Sequence, residues 1–252
     1  VTVKELSVTT HQVLTEDDVA ISFDLYRGDS KDFVLIICPG FFQSKETKTF
    51  RQMSEDLTDG QDVICMDFRG HGKSGGLFTF SALEHKDIAA VVVFAKERYR
   101  RVGILGFSLG SASAISYAAH QHTVQRLILV SAPSSFEEIE YKFWTPEAIR
   151  TGIRGLEPGA GCRPGNLWLK KERPSENIRK ITGIPIVFIH GNHDPIVSHH
   201  HSERLYQMAH EPKKLIIVER GGHAEELYRV APGEFISMVT AITAKFLPLS
   251  EL

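Results

Sequence analysis

The chain has 252 residues, 42% of them hydrophobic and 24% charged, with a formal net charge of -2. That length is enough to bury a large core, and the near-neutral balance excludes nucleic acid as a partner, because no basic stretch could neutralise a run of phosphates. The longest apolar run, Ile88 to Ala95, is far too short to span a bilayer.

The first elements expected are two strands, "VKELSVTT" and "VAISFDLYRG", paired as an antiparallel hairpin around the polar turn "TEDD". Apolar runs then alternate with longer helical patterns: "FVLIIC" (33–38), "DVICMD" (62–67), "VGILGF" (102–107), "RLILVS" (126–131), "PIVFIH" (185–190) and "KLIIVE" (214–219). Continuous Val/Ile/Leu runs are the mark of parallel strands covered on both faces. The clearest helix opens at "SALE", with Ser81 as cap and Glu84 three residues on. Others are expected over "LGSASAISYAAH", behind a Ser198 cap, and over the closing "GEFISMVTAITAKFL". This alternation specifies an α/β fold: a mostly parallel, doubly wound sheet with an antiparallel N-terminal hairpin.

One interval breaks the rhythm. Between Phe136 and about Ser175 there is no strand, while Trp144, Trp168, Pro158, Pro164 and "GLEPGAG" crowd together. The chain is therefore read as one domain, 1–252, with a cap insertion at about 136–175 over the active end of the sheet. In "TPEAI", Thr145 as cap and Pro146 at the first helical position make part of that cap helical. Its aromatics (Phe136, Tyr141, Phe143, Trp144, Trp168) suit the core of a cap and the wall of a substrate site equally well. The three cysteines, two of them (Cys38 and Cys65) inside apolar runs, read as reduced thiols of a cytoplasmic protein, and nothing at the N-terminus reads as a signal peptide.

The chemistry starts at "RVGILGFSLGSAS" (101–113), where a strand runs into Gly-x-Ser-x-Gly and then into small side chains. The setting is strand, turn, helix. Gly106 and Gly110 leave room for a sharp bend that holds the Ser108 hydroxyl out, and the small residues after it let the helix crowd the sheet. A serine hydroxyl needs a base to take its proton and a group to orient that base. Two later strands each end in a loop that supplies one: Asp194 in "PIVFIHGNHDPIV" and His223 in "KLIIVERGGHAEEL". Both lie past the carboxyl ends of strands, where open α/β sheets place their sites.

With the order Ser108, Asp194, His223, the chain resembles the α/β-hydrolase superfamily over nearly its full length. "DFRGHGKSGG" (67–76) is similar to a segment that follows an early strand in many members, and "CPGFFQSKE" (38–46) to the oxyanion loop of the esterase and acylaminopeptidase-like branches. The chain has Pro39-Gly40 where many relatives carry His-Gly. The resemblance implies oxyanion donors at the backbone N–H groups of Phe41 and Leu109, and a substrate wall that includes Phe41, Trp144, Ile196 and Val197. Asp67, a rival acid, is expected to be tied to Arg69, and His71 to be structural or pocket-lining.

The histidine-rich stretch (His190, His193, His199, His200, His201) reads as a polar loop and helix start with no metal, since three consecutive helical positions point about 100° apart. The implied function is a serine hydrolase of carboxylic esters with a small or medium apolar acyl group, needing no cofactor. A thioesterase, a peptidase-like amidase and a carbon–carbon bond hydrolase share the same triad chemistry. A non-catalytic ligand-binding homologue is the alternative of another class.

Overall fold

The computed structural model describes residues 6–28, 32–137, 139, 157–166 and 168–244. At its centre is an eight-stranded sheet. Strands β1 (Val8–Leu14) and β2 (Ala20–Tyr26) pair antiparallel at one edge. β3 (Phe33–Cys38), β4 (Asp62–Met66), β5 (Arg101–Phe107), β6 (Arg126–Val130), β7 (Ile186–Gly191) and β8 (Lys213–Val218) run parallel. The order across the sheet is β1-β2-β4-β3-β5-β6-β7-β8. Helices α1 (Lys48–Asp56), α2 (Glu84–Lys96), α3 (Leu109–His120), α4 (Pro174–Asn177), α5 (His200–Met208), α6 (Glu226–Val230) and α7 (Pro232–Ala244) cover its two faces.

Period-two alternation sorts the parallel strands' side chains between those faces. Val34, Ile36 and Ile104 join one core with Ile88 and Val91 of α2 and Ile115 of α3. Leu35, Ile37 and Phe107 join the other with Phe50 of α1 and Phe235 of α7. Both faces are apolar, which is why these strands read as unbroken hydrophobic runs. β3 lies between β4 and β5, so the chain leaves it on one side and returns on the other. The loops after β3 and β5 therefore diverge and open a crevice at the strands' carboxyl ends.

Local detail departs from the expected pattern in places. The first strand lies later than "VKELSVTT". The Thr15 N–H closes a turn onto the Val19 carbonyl and its hydroxyl onto Asp17, which sets Leu14 opposite Ala20 and Val8 opposite Tyr26. Helix α2 starts at Glu84 without a Ser81 cap. Ser81 has φ 70 and meets the Ser113 hydroxyl, while the Glu84 carboxylate accepts from the N–H and hydroxyl of Thr79. That buried turn had more donors to satisfy than the helix end did. Helix α5 starts at His200, and Ser198 offers its carbonyl to the His201 N–H, not a side-chain cap.

Within the insertion, residues 157–166 lie along the loop after β4. The Arg163 N–H bonds the Gly70 carbonyl, and Phe78 exchanges backbone bonds with Arg163 and Gly165. Trp144, Tyr141, Phe143 and the Thr145–Pro146 helix start lie outside the described residues. Trp168 is 96% exposed, so it serves neither as cap core nor as a covered wall. Cys38 and Cys65 are buried and all three thiols are free. No helix among the described residues is long and apolar enough to cross a membrane.

The loop after β4 is anchored by a buried ion pair. Arg69 donates from Nε to Asp87 Oδ1 at 2.8 Å, its own N–H reaches Asp87 Oδ2 at 2.8 Å, and its other nitrogens fork onto Asp17. Arg69 is 3% exposed and Asp87 0%, so neither charge can turn to water if its partner is lost. Asp87→Ala leaves Arg69 paired with Asp17 alone and is expected to cost about 1–3 kcal/mol of unfolding free energy, the scale for losing charge-assisted hydrogen bonds, as read by urea denaturation.

Candidate active site

Ser108 sits on the bend between β5 and α3 with φ 49 and ψ -111, angles that an L-residue occupies only at a cost of about 1–3 kcal/mol. Its neighbours hold it there. The Ser108 N–H donates to the Val130 carbonyl at the end of β6, its carbonyl accepts from Ala112, and the Ser111 hydroxyl reaches the Gly106 carbonyl at 2.7 Å. Helix α3 presses so close to the sheet that a Cβ on Gly110 would stand 2.1 Å from the Cys38 carbonyl oxygen. The loop after β3 runs alongside: a Cβ on Gly40 would lie 3.6 Å from the Ser108 Cβ.

The loops after β7 and β8 interlock in the same way. The backbone of Gly191 touches that of Gly221, where a Cβ would stand 2.2 Å from a carbonyl oxygen, and the His193 N–H bonds the Gly221 carbonyl. This brings His223 Nδ1 to 2.7 Å from Asp194 Oδ2. The Ala224 N–H then donates to the Ser131 hydroxyl beyond β6, which carries the histidine loop back across the sheet towards Ser108. Ser131 shares a strand end with Val130, the acceptor of the Ser108 N–H.

Asp194 is seated by both oxygens. Oδ1 accepts from the N–H groups of Ile196 at 2.9 Å and Val197 at 2.8 Å, and Oδ2 from His223 and from His190 Nε2 at 3.1 Å. Burial alone would raise this carboxyl, but the two histidines outweigh it and hold Asp194 well below the usual carboxylate range. Burial would likewise lower His223, and the Asp194 carboxylate, with Glu225 and Glu226 behind it, raises it above its ordinary value. Ile196 and Val197, expected on the substrate wall, act on the acid through their backbones, and the Val197 side chain is buried.

Other expectations change. Asp67 is not tied to Arg69. It accepts from the N–H groups of Lys45 and Lys73, pinning the loops after β3 and β4 together, and burial raises it to about 6. His71 is structural: its Nδ1 meets the Arg69 carbonyl, its ring packs edge-on to Phe78 at 4.9 Å, and burial lowers it to about 4. Phe41 stacks on Phe78 at 5.2 Å.

The histidine run does not behave as one polar loop. His190 belongs to β7 and is wholly buried, and His201 accepts from the Ser134 hydroxyl at 2.8 Å. His199 precedes the regular helix, so its ring swings to 4.3 Å from that of His200, and with Glu203 their donor atoms fall within 4.8 Å of one another. Helical spacing alone did not foresee that convergence. His190 and Ser131 were missed as site residues. The signal for His190 was its place at a strand's carboxyl end, four positions before the acid.

With Asp194→Asn the charge that raises His223 is lost while its burial stays. The His223 titration midpoint, followed by NMR, should therefore drop relative to the parent. The folded Asp194 lies below its unfolded value, so its share of stability is complete above pH ~4 and is lost as pH falls further. The raised His223 contributes below pH ~6.5 and fades as pH rises through its folded value. Asp194→Asn should remove the acid-side slope and take away the stabilisation that His223 contributes at low pH.

The alpha/beta hydrolase fold family matches residues 34–150. The esterase Pf2001 of Pyrococcus furiosus superposes with a TM-score of 0.74 at 23% identity, over 94% of this chain and 91% of its own. The esterase RhEst1 of Rhodococcus sp. ECU1013 gives 0.77 at 20%, over 94% and 99%. By sequence the chain is 27% identical over 208 residues to the uncharacterized protein YfhR of Salmonella typhi, covering 73% of this chain but 64% of that protein. It is 36% identical over 138 residues to pyrrolizixenacetamide deacetylase of Xenorhabdus hominickii, about half of each (52% and 50%). Strand order, the strained serine after β5 and these likenesses agree: the chain has the α/β-hydrolase fold.

Proposed function

We propose that the protein is a serine hydrolase that cleaves carboxylic esters carrying a small or medium apolar acyl group. The observation that carries this reading is Ser108 on its strained bend, with the 2.7 Å Asp194–His223 pair held over the neighbouring strand ends. Ser108 attacks the acyl carbonyl while His223 Nε2 takes its proton. Asp194 receives the Nδ1–H, fixes the tautomer and stabilises the imidazolium. The N–H groups of Phe41 and Leu109 hold the oxyanion. As it collapses the ester C–O bond breaks and His223 gives its proton to the departing alcohol. Water, activated by His223, then attacks the acyl-enzyme and releases the acid and free Ser108.

The apolar preference rests on the surroundings of the bend. Leu109 and Ala112 share a cluster with Phe78 and Phe136, and Phe41, Phe78, Phe80 and Phe136 form a row with successive ring separations of 5.2, 5.6 and 5.3 Å. The row ends at a cleft of about 840 Å³ whose walls include Phe80, Phe136, Lys171 and Arg173. Ser108 is not in that wall, so the exposed ring of Phe41 and the partly exposed ring of Phe80, more than the cleft, are where an acyl chain rests. The insertion at about 136–175 serves as the cap. A second reading, hydrolysis of an amide, is favoured by the likeness to the Xenorhabdus hominickii deacetylase, because both bonds pass through one tetrahedral intermediate.

The test is hydrolysis of p-nitrophenyl esters from acetyl to palmitoyl with Ser108→Ala as the blank. Turnover is expected to fall by about 10³-fold or more in the variant, and a fluorophosphonate should add its mass at Ser108. A parent protein that neither turns over an ester nor takes the label overturns the reading.

A further inference from the structure

His190 is an unassigned member of this site. Its ring is wholly enclosed, and each nitrogen has a partner. Nε2 faces two groups that can only accept, the Val197 carbonyl at 2.9 Å and Asp194 Oδ2 at 3.1 Å, so Nε2 carries a hydrogen. Nδ1 lies 2.7 Å from the Ser202 hydroxyl of α5, and a neutral ring with hydrogen on Nε2 accepts there. The Asp194 carboxylate has about four lone-pair directions, and four donors fill them: two backbone N–H groups on Oδ1 and two imidazoles on Oδ2. His190 and His223 thus share one oxygen.

We propose that His190 is a positioning residue for the acid–base pair: with Ser202 behind it, it sets the rotation of the Asp194 carboxylate and draws off part of the charge that Oδ2 presents to His223. The proposal rests on the reading of Ser108, His223 and Asp194 as a triad. Two consequences follow. The carboxylate cannot turn about its Cβ–Cγ bond without giving up the His190 bond together with that of His223. The base is also less strongly held as imidazolium than Asp194 alone would hold it. The charged and titratable groups that bear on His223 are Asp194, Glu225 and Glu226, and those that bear on Asp194 are His223 and His190. A ring that merely filled space would not need its Nε2–H aimed at the carboxylate.

The test compares the full chain with His190→Leu, which removes the donor at similar volume, and His190→Gln, whose amide N–H can replace Nε2–H. Two readouts are taken: the His223 titration midpoint by NMR and the rate of fluorophosphonate labelling against pH. His190→Leu should raise the midpoint, move the acid limb of labelling upward with it, and slow labelling at the plateau by about tenfold to a hundredfold, the scale for losing an outer partner of a histidine–carboxylate pair. His190→Gln should restore most of both. Ser202→Ala, which frees Nδ1 without emptying the core, should shift the midpoint the same way by less, and takes the place of His190→Leu if that variant does not fold. A folded variant whose midpoint stays or falls overturns the proposal. If the parent takes no label yet the midpoint rises in His190→Leu, the positioning role stands and the hydrolase reading is what fails.

Discussion

The backbone of one serine is the constraint around which the rest of the sheet is arranged. At φ 49 and ψ -111 Ser108 would relax to an ordinary conformation if it were free to do so. It is not free, because α3 is pressed against β3 at Gly110 and the Ser108 N–H is committed to the end of β6. The small residues that open α3 are what allow that closeness. The strain is offset by burial on both sides of a sheet whose central strands are entirely enclosed.

A second theme is that buried polar groups, not surface contacts, hold the loops at the strand ends. Asp67 ties the loop after β3 to the loop after β4, Arg69 and Asp87 tie the latter to α2, and the Ser131 hydroxyl ties the histidine loop to β6. Each spends its hydrogen-bonding capacity on backbone N–H groups or on charged partners. In a dry interior such bonds are costly to break, so loops that carry chemistry stay where the sheet puts them. Asp194 is the extreme case, with four donors on two oxygens.

At the site itself Ser108 is partly exposed, and Phe41 stands 42% exposed on a loop otherwise pinned by Asp67 through the Lys45 N–H. The row of rings from Phe41 to Phe136 packs in edge-on and stacked contacts, with the Lys171 ammonium over the Phe80 ring at 5.4 Å.

The sequence by itself determined the sheet, its handed alternation of strand and helix, and the three side chains on which the proposed chemistry turns. Those features are local: unbroken apolar runs, a glycine-flanked serine, and an acid and a histidine just past strand ends. Only the tertiary structure decided which polar groups meet across the chain. The Glu84 carboxylate turned to the Thr79 turn and not to a Ser81 cap, Arg69 chose Asp87 and Asp17 over its near neighbour Asp67, and His190 left a run of loop histidines to bond Asp194. Each of those choices depends on which donor is buried beside which acceptor once the layers pack, a distance that spacing along a chain does not contain.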